Sequence, residues 1–331
     1  MGKAAQKSIL SPEDQSVTFV ELFFDLVFVF SVTQVVGILH HHLDGTGVGQ
    51  TILVFWLVWW GWTQFTWALN AADTTHPSVE LATLVATAVA FFMAAGIPNA
   101  FSGGALWFAI PYVLVRVIGL ALYVRVSWES SPEHRTAVKT FTLLSMGGLA
   151  AVLAGGLSGG TTTYWLWGLA ILLDIIAALI GGEVGDWDLH PEHFAERHGL
   201  FVIIALGESL IVAAGGLAGA KVTVGLSAVA TLAVGATCAL WWSYFACAKP
   251  TLDTAFEAAT GTARVRMGRD AFSLLHFGMA LGVIAFAVAV EKAILHPEEA
   301  LSFAGRLALA LGVALFTGGM GLALWRATKK L

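Results

Sequence analysis

The sequence predicts an all-α membrane protein, a polytopic bundle of about ten transmembrane helices. Three observations predict it. Of 331 residues, 57% are hydrophobic and only 12% are charged. Ordinary soluble domains carry about 25% charged residues, so lipid must cover apolar surface that a soluble fold could not bury. Ten stretches are apolar over the roughly 20 residues a helix needs to cross the bilayer core. They are 18–42, 50–70, 79–100, 104–126, 138–157, 163–181, 197–218, 224–248, 270–291 and 301–327. Finally, Lys and Arg fall on alternate loops. With the N-terminus inside, thirteen lie on the cytoplasmic side and only Lys221, Lys292 and Arg306 outside, with Arg116 inside a helix. Such a bias orients membrane proteins, and losing one helix from the count would scramble it.

The expected organisation is a cytoplasmic tail over 1–17, a transmembrane domain over 18–327 and a second cytoplasmic tail over 328–331. The first apolar run starts near Thr18, contains Glu21 and Asp25, and is followed by no clear small-residue cleavage site. It therefore reads as a spanning helix and not as a secretory signal. The loops are short except 182–196 and 249–269, so no soluble domain is expected. A net charge of −5 without a long basic run argues against a nucleic-acid partner. The lipid bilayer is the expected one. Cys238 and Cys247 are nine positions apart on one predicted helix, about 13 Å along its axis, too far to bridge.

The first helix places Glu21 and Asp25 four residues apart, hence on one face. Two like charges there require a proton, a basic partner or a bound cation. The same helix closes on His40-His41-His42 and Asp44, read as a polar end at the headgroups in preference to a metal site. Trp56, Trp59, Trp60, Trp62 and Trp67 crowd the second helix. The central ones are expected to pack in the bundle. Arg116 lies deep in the fourth helix and Asp174 deep in the sixth. The fifth, 138–157, is rich in glycine. The inner loop from Glu183 to His193 holds Asp186, Asp188, His190 and Glu192 and reads as a solvated acidic loop in preference to a metal site.

The seventh helix opens on Glu196-Arg197-His198 and carries Glu208 near its middle, three turns from Arg197. Glu208 therefore needs a partner from another helix. An isolated charge at mid-bilayer costs at least about 2.5–3.5 kcal/mol, so Arg116 is expected to pair with Asp174 or Glu208. His276 in the ninth helix is about as deep as Asp25 and is a candidate partner for it. Four acids against one deep arginine would leave surplus negative charge that favours cations. A haem-ligating pair would need two deep histidines at one level, and only His276 is clearly deep, so no cofactor is expected.

A weak internal repeat is also visible. Phe19-Val20-Glu21 matches Phe194-Ala195-Glu196, Thr33-Gln34 matches Glu208-Ser209 at the same offset, and Trp59-Trp60 resembles Trp241-Trp242. Six helices separate the copies, which would make the repeat parallel.

The run Val20-Glu21-Leu-Phe-Phe-Asp25-Leu-Val-Phe-Val-Phe30, followed by Gln34, resembles the signature of the bacterial low-temperature-requirement A family. Glu196-Arg197-His198-Gly199-Leu200-Phe201 through Gly207-Glu208 resembles its second block. The resemblance implies a multi-spanning bacterial inner-membrane protein associated with growth in the cold. It marks Glu21, Asp25, Glu196, Arg197, His198 and Glu208 as candidate functional positions.

Zinc-protease, phosphate-loop and C-x-x-C motifs do not occur, and no enzyme is expected. The leading expectation is a transporter or channel with a proton- or cation-dependent step. Asp25 and Glu208 would handle charge, Arg116 would be the internal counter-charge, and Glu21, Arg197 and His198 would form the cytoplasmic entrance. The alternatives are a membrane sensor or assembly factor that uses the ion pairs as glue, and an intramembrane enzyme acting on lipid. A transporter calls for a polar cavity that reaches the acids, and a lipid enzyme for a lateral opening.

Overall fold

The computed structural model describes residues 8–12, 14–183, 187, 189–218 and 221–329. Among them, ten helices are long and apolar enough to span a membrane. They are α1 Phe19–His41, α2 Gly45–Asn70, α3 Pro77–Asn99, α4 Ala105–Ser127, α5 Pro132–Ser158, α6 Gly160–Gly181, α7 Pro191–Leu217, α8 Val224–Ala258, α9 Gly261–Leu295 and α10 Phe303–Thr328. Every predicted span has its helix.

The helix starts follow local chemistry. Thr18 caps α1, its N–H and hydroxyl both donating to Glu21 Oε2 at 2.9 and 3.0 Å. Ser131 accepts from the His134 N–H with Pro132 in the first turn, so α5 starts six residues before its apolar run. Proline fits there because its missing N–H has no helical partner to lose.

The long loop expected over 249–269 is a correction: nearly all of it is helix. Each of α8 and α9 has 35 residues, about 52 Å, well beyond a hydrocarbon core of about 30 Å. They meet at a tight turn before Gly261, whose φ of +52° suits a residue without a side chain. Each contains a wide π turn, Ser243–Ala248 in α8 and Gly268–Leu274 in α9. The first lies just ahead of Pro250, whose ring would clash with an ordinary preceding turn.

Contacts at the two ends of the bundle agree with ten crossings. On the N-terminal side, Asp73 N–H donates to Ile9 O, Asn70 holds the His190 backbone, and Arg326 bonds Asp270. On the opposite side His40 pairs with Glu291 at 2.6 Å and Gln50 bonds Tyr164. Of the ten, α2 is the most enclosed and α10 the least. Helices α1 and α7, matched in the sequence repeat, pack side by side. Cys238 and Cys247 are free and exposed.

Candidate functional site

Three groups of buried polar side chains lie inside the bundle. The first centres on Arg197, whose guanidinium sits 3.1 Å from Glu21 Oε1 and 2.9 Å from Asp25 Oδ1. Trp62 Nε1 also donates to Asp25 Oδ1 at 2.8 Å. His193 joins from the start of α7, with Nε2 3.0 Å from Glu21 Oε1 and Nδ1 3.1 Å from the Asn70 amide nitrogen. Asn70 Oδ1 accepts from the His190 N–H, which fixes the amide with its nitrogen towards His193. His193 Nδ1 is therefore an acceptor, and Nε2–H donates to Glu21. The ring is neutral, so the cluster carries two carboxylates and one guanidinium. Asp25 Oδ2 and Arg197 Nε are buried without hydrogen-bond partners.

Next to this group, His198 Nδ1 donates to Phe194 O at 2.9 Å and His276 Nδ1 donates to Ala271 O at 2.8 Å. Carbonyls only accept, so each Nδ1 carries a hydrogen, and in the neutral ring each Nε2 carries a lone pair. That of His276 receives the Tyr244 hydroxyl at 2.8 Å. That of His198 receives nothing. His276 is thus the partner of Tyr244 and not of Asp25, a correction to the expected pairing. Arg197 takes that place because α7 packs against α1. His198 is also a second deep histidine that the sequence did not reveal. The two rings meet edge to face with centroids 5.6 Å apart, a direct contact that leaves no thickness for a planar cofactor between them.

The second group joins α2, α4 and α6. Arg116 bonds Asp174 through both terminal nitrogens, at 3.1 and 3.4 Å, Tyr112 at 2.6 Å, and Gln64 through Nε. Gln64 returns a bond to Arg116 O at 2.9 Å. Of the two partners expected for Arg116, it takes Asp174. All polar atoms of this group are bonded, as expected of a pair that locks helices together.

The third is Glu208. Its Oε2 lies 2.6 Å from Thr33 Oγ1 on α1, the partner from another helix that it needed, and its Oε1 has none. Arg197 lies eleven residues away on the same helix, about 16 Å. Beside the Arg197 group, Trp59, Trp62 and Phe201 pack on one another with ring centroids 4.6–5.2 Å apart.

Three further expectations change. Glu196 is exposed and joins no cluster. Glu21, Arg197 and His198 are fully buried, so this end of the bundle is closed and is not an open entrance. With Arg197 inside, two guanidiniums and not one face the four acids. Of the acidic loop, Asp186 and Asp188 lie outside the described residues, whereas Glu183 pairs with Arg266 and Arg269. Sequence reasoning missed the roles of His193, Gln64, Tyr112 and Tyr244. His193 alone carried a signal, being within one turn of Arg197.

Four cavities are notable, and none is lined by Glu21, Asp25, Asp174 or Glu208. A small one of about 40 Å³ lies on the N-terminal side between α2, α4, α5, α6 and α9. A polar one of about 370 Å³ opens on the other side beside Gln34, His41 and Gln50. Two apolar ones, about 590 and 550 Å³, lie between α1, α2, α9 and α10 and along α4 and α5.

Comparison with known proteins places these residues in context. An uncharacterized protein of Rhizobium meliloti (strain 1021) is 27% identical over 316 residues, covering 93% of this chain and 76% of that protein. No solved structure matches. The family model of the bacterial low temperature requirement A protein matches residues 16–330, which takes in both blocks that hold the buried carboxylates. The chain belongs to the bacterial low temperature requirement A (LtrA) family.

Proposed function

We propose that this LtrA-family protein is a non-catalytic transporter of the bacterial inner membrane, with both termini cytoplasmic and a proton-dependent step carried by Asp25 and Glu208. The observation that carries this reading is the contrast between the polar groups. Arg116 and Asp174 are fully hydrogen-bonded, whereas the Asp25–Arg197 group, His198 and Glu208 each keep a buried polar atom unpaired. Leaving such an atom unpaired costs about 1–3 kcal/mol, a cost that a purely structural lock has no reason to carry. Intramembrane ionisable groups of this kind mark ion and proton paths.

A proton suits the site better than a metal cation. The Arg197 guanidinium already occupies the position between Glu21 and Asp25, where a second cation would be repelled. The two polar stations lie about 16 Å apart along α7, and the rings of Trp59, Trp62 and Phe201 pack beside the first, an arrangement that suits a closed state of a transporter. The Lys and Arg bias supports the orientation. The absence of the acids from the four cavities favours the second reading, a sensor or assembly factor. The lateral groove between α1, α2, α9 and α10 is apolar apart from Asp44 and Thr51, which offers little to a lipid-modifying enzyme.

The test is proton flux into liposomes holding the purified protein, beside Asp25→Asn and Glu208→Gln. Flux in the wild type that falls about tenfold or more in either variant is expected if these groups exchange the proton. Absence of flux under every imposed gradient, with all three proteins folded, would remove the proton step and favour the sensor reading.

A further inference from the structure

The polar cavity on the outer side lies between α1, the start of α2, the end of α3 and the turn that follows it. Its volume is about 370 Å³, at the lower end of the range of small-molecule sites, about 300–1,000 Å³. At about 30 Å³ for each water or heavy atom, it takes a solute of about a dozen heavy atoms.

Gln34, Gly37, Ile38 and His41 line it from α1. Their spacing of three, four and seven residues puts them on one face of that helix. Gln34 lies seven residues before His41, about 10 Å deeper. It is partly exposed, and its side chain makes no hydrogen bond to any described residue. An amide without a partner is costly in hydrocarbon, so water or a solute fills the cavity down to this level. From α2, Gln50 gives a hydrogen of its amide nitrogen to Tyr164 at 2.6 Å, which leaves its carbonyl oxygen to accept. Tyr164 also stacks on Phe101, with ring centroids 4.9 Å apart, and Phe101 is an apolar wall of the cavity. His42 and Ser102, both exposed, complete the polar lining.

Charge narrows the class of solute. No Asp, Glu, Lys or Arg lines this cavity. Charged groups of this side are engaged elsewhere: Asp44 caps α2, Glu291 and Lys292 flank His40, and Glu298 accepts from Thr223. Gly219 and Ala220, outside the described residues, add no charge. A charged solute would give up water here for no counter-charge. The Gln34 amide and the Ser102 hydroxyl both give and accept hydrogen bonds, as the hydroxyls of a polyol do. The Phe101 ring suits the apolar C–H face of such a solute.

We propose that this cavity is an outward-facing binding site for a small uncharged polyhydroxyl solute of about a dozen heavy atoms, the substrate class of the transporter. The inference rests on the transporter reading above. Gln34 is next in the chain to Thr33, whose hydroxyl meets Glu208 at 2.6 Å. A solute held by Gln34 therefore bears on the helix that meets the proton-handling acid.

The experiment is equilibrium binding of radiolabelled sorbitol, glucose and inositol, which are of this size, to the purified full chain in a detergent without a sugar headgroup. Acetate and methylammonium serve as charged competitors. Saturable binding of at least one of the three is expected, unaffected by either ion and by Thr317→Val, an exposed position on α10. Gln34→Leu should weaken it about tenfold, since the amide's donor and acceptor are both lost, and Gln50→Leu about threefold or more. The second variant carries the test if Gln34→Leu does not fold. No saturable binding of any of the three, displacement by either ion, or wild-type affinity in Gln50→Leu or in a folded Gln34→Leu would overturn the proposal. Binding is read without a gradient, so the two readings fail separately. Saturable binding without proton flux in liposomes keeps the site and assigns it to a sensor, whereas proton flux without binding removes the site alone.

Discussion

Glu208 Oε2 and Thr33 Oγ1 lie 2.6 Å apart, and the same Thr33 oxygen lies 3.2 Å from Val29 O. A hydroxyl has one hydrogen and cannot give it to both. The two contacts coexist when Thr33 donates to Val29 and Glu208 carries a proton that it donates to Thr33. Among the described residues no cation pairs with Glu208 to hold it ionised. Infrared spectra of the protein near pH 7 should therefore show a protonated carboxyl band that Glu208→Gln removes. Because the amide can donate to Thr33 in the same way, Glu208→Gln should unfold within about 1 kcal/mol of the wild type. A spectrum unchanged by the substitution would mean that Glu208 is ionised and that Thr33 points its hydrogen at it.

Arg197 holds two carboxylates from another helix, Glu21 at 3.1 Å and Asp25 at 2.9 Å. Arg197→Gln leaves both acids buried beside each other, and breaking such a pair from one side costs about 3–5 kcal/mol. Adding Asp25→Asn removes one of the stranded charges, so the double variant should be more stable than Arg197→Gln alone. Chemical unfolding of the four proteins of this cycle measures the coupling. Strict additivity would mean that Arg197 and Asp25 do not interact as the geometry places them.

The helices were legible because lipid imposes one rule: about 20 apolar residues per crossing, with backbone groups bonded inside the segment. All ten spans followed from it. The Glu21 and Asp25 face, and the need of Arg116 for a buried acid, either Asp174 or Glu208, followed from the cost of unpaired charge. Which partner each acid takes did not, because that depends on how α7 turns about its axis against α1. Arg197 looked like an interfacial residue by its position near the end of an apolar run, and only packing shows it pointing inwards. The helical extensions over 249–269 were hidden for another reason. Residues such as Lys249, Pro250 and Asp253 read as loop by polarity and by the proline. The structure instead has a 2.5 Å Lys249–Asp253 bond one turn apart and a π turn ahead of Pro250.

Outside the membrane segments, the hydrogen bond from Arg266 holds the Glu183 carboxyl below its ordinary value of 4.5. The folded value lies below the unfolded one, so the pair's contribution to stability is complete above about pH 4.5 and is lost as pH falls through the lowered value. Glu183→Gln should therefore lower the unfolding midpoint at pH 7, and the difference from wild type should close in acid. Both side chains are about half exposed, so the effect should be small and should shrink with added salt. A difference that persists unchanged at acid pH would assign the loss to something other than this ion pair.

Helices α9 and α10 touch backbone to backbone. A Cβ on Gly282 would lie 2.6 Å from Gly312 O, and one on Gly312 would lie 2.7 Å from Gly282 O and from Phe286 N. Small residues let membrane helices approach this closely, and packing is what holds them when lipid is as apolar as the side chains. The atoms that a new methyl group would meet are backbone, which cannot swing aside. Gly312→Ala should therefore cost about 1–3 kcal/mol as α10 is pushed from α9. Gly318 and Gly321, on the same helix, have nothing within 4 Å of a built Cβ. Alanine at either should be neutral, or stabilising by up to about 1 kcal/mol through helix propensity. Thermal unfolding of the three single variants separates the two effects. If Gly312→Ala is tolerated as well as Gly318→Ala, α10 is not seated on α9 through these glycines.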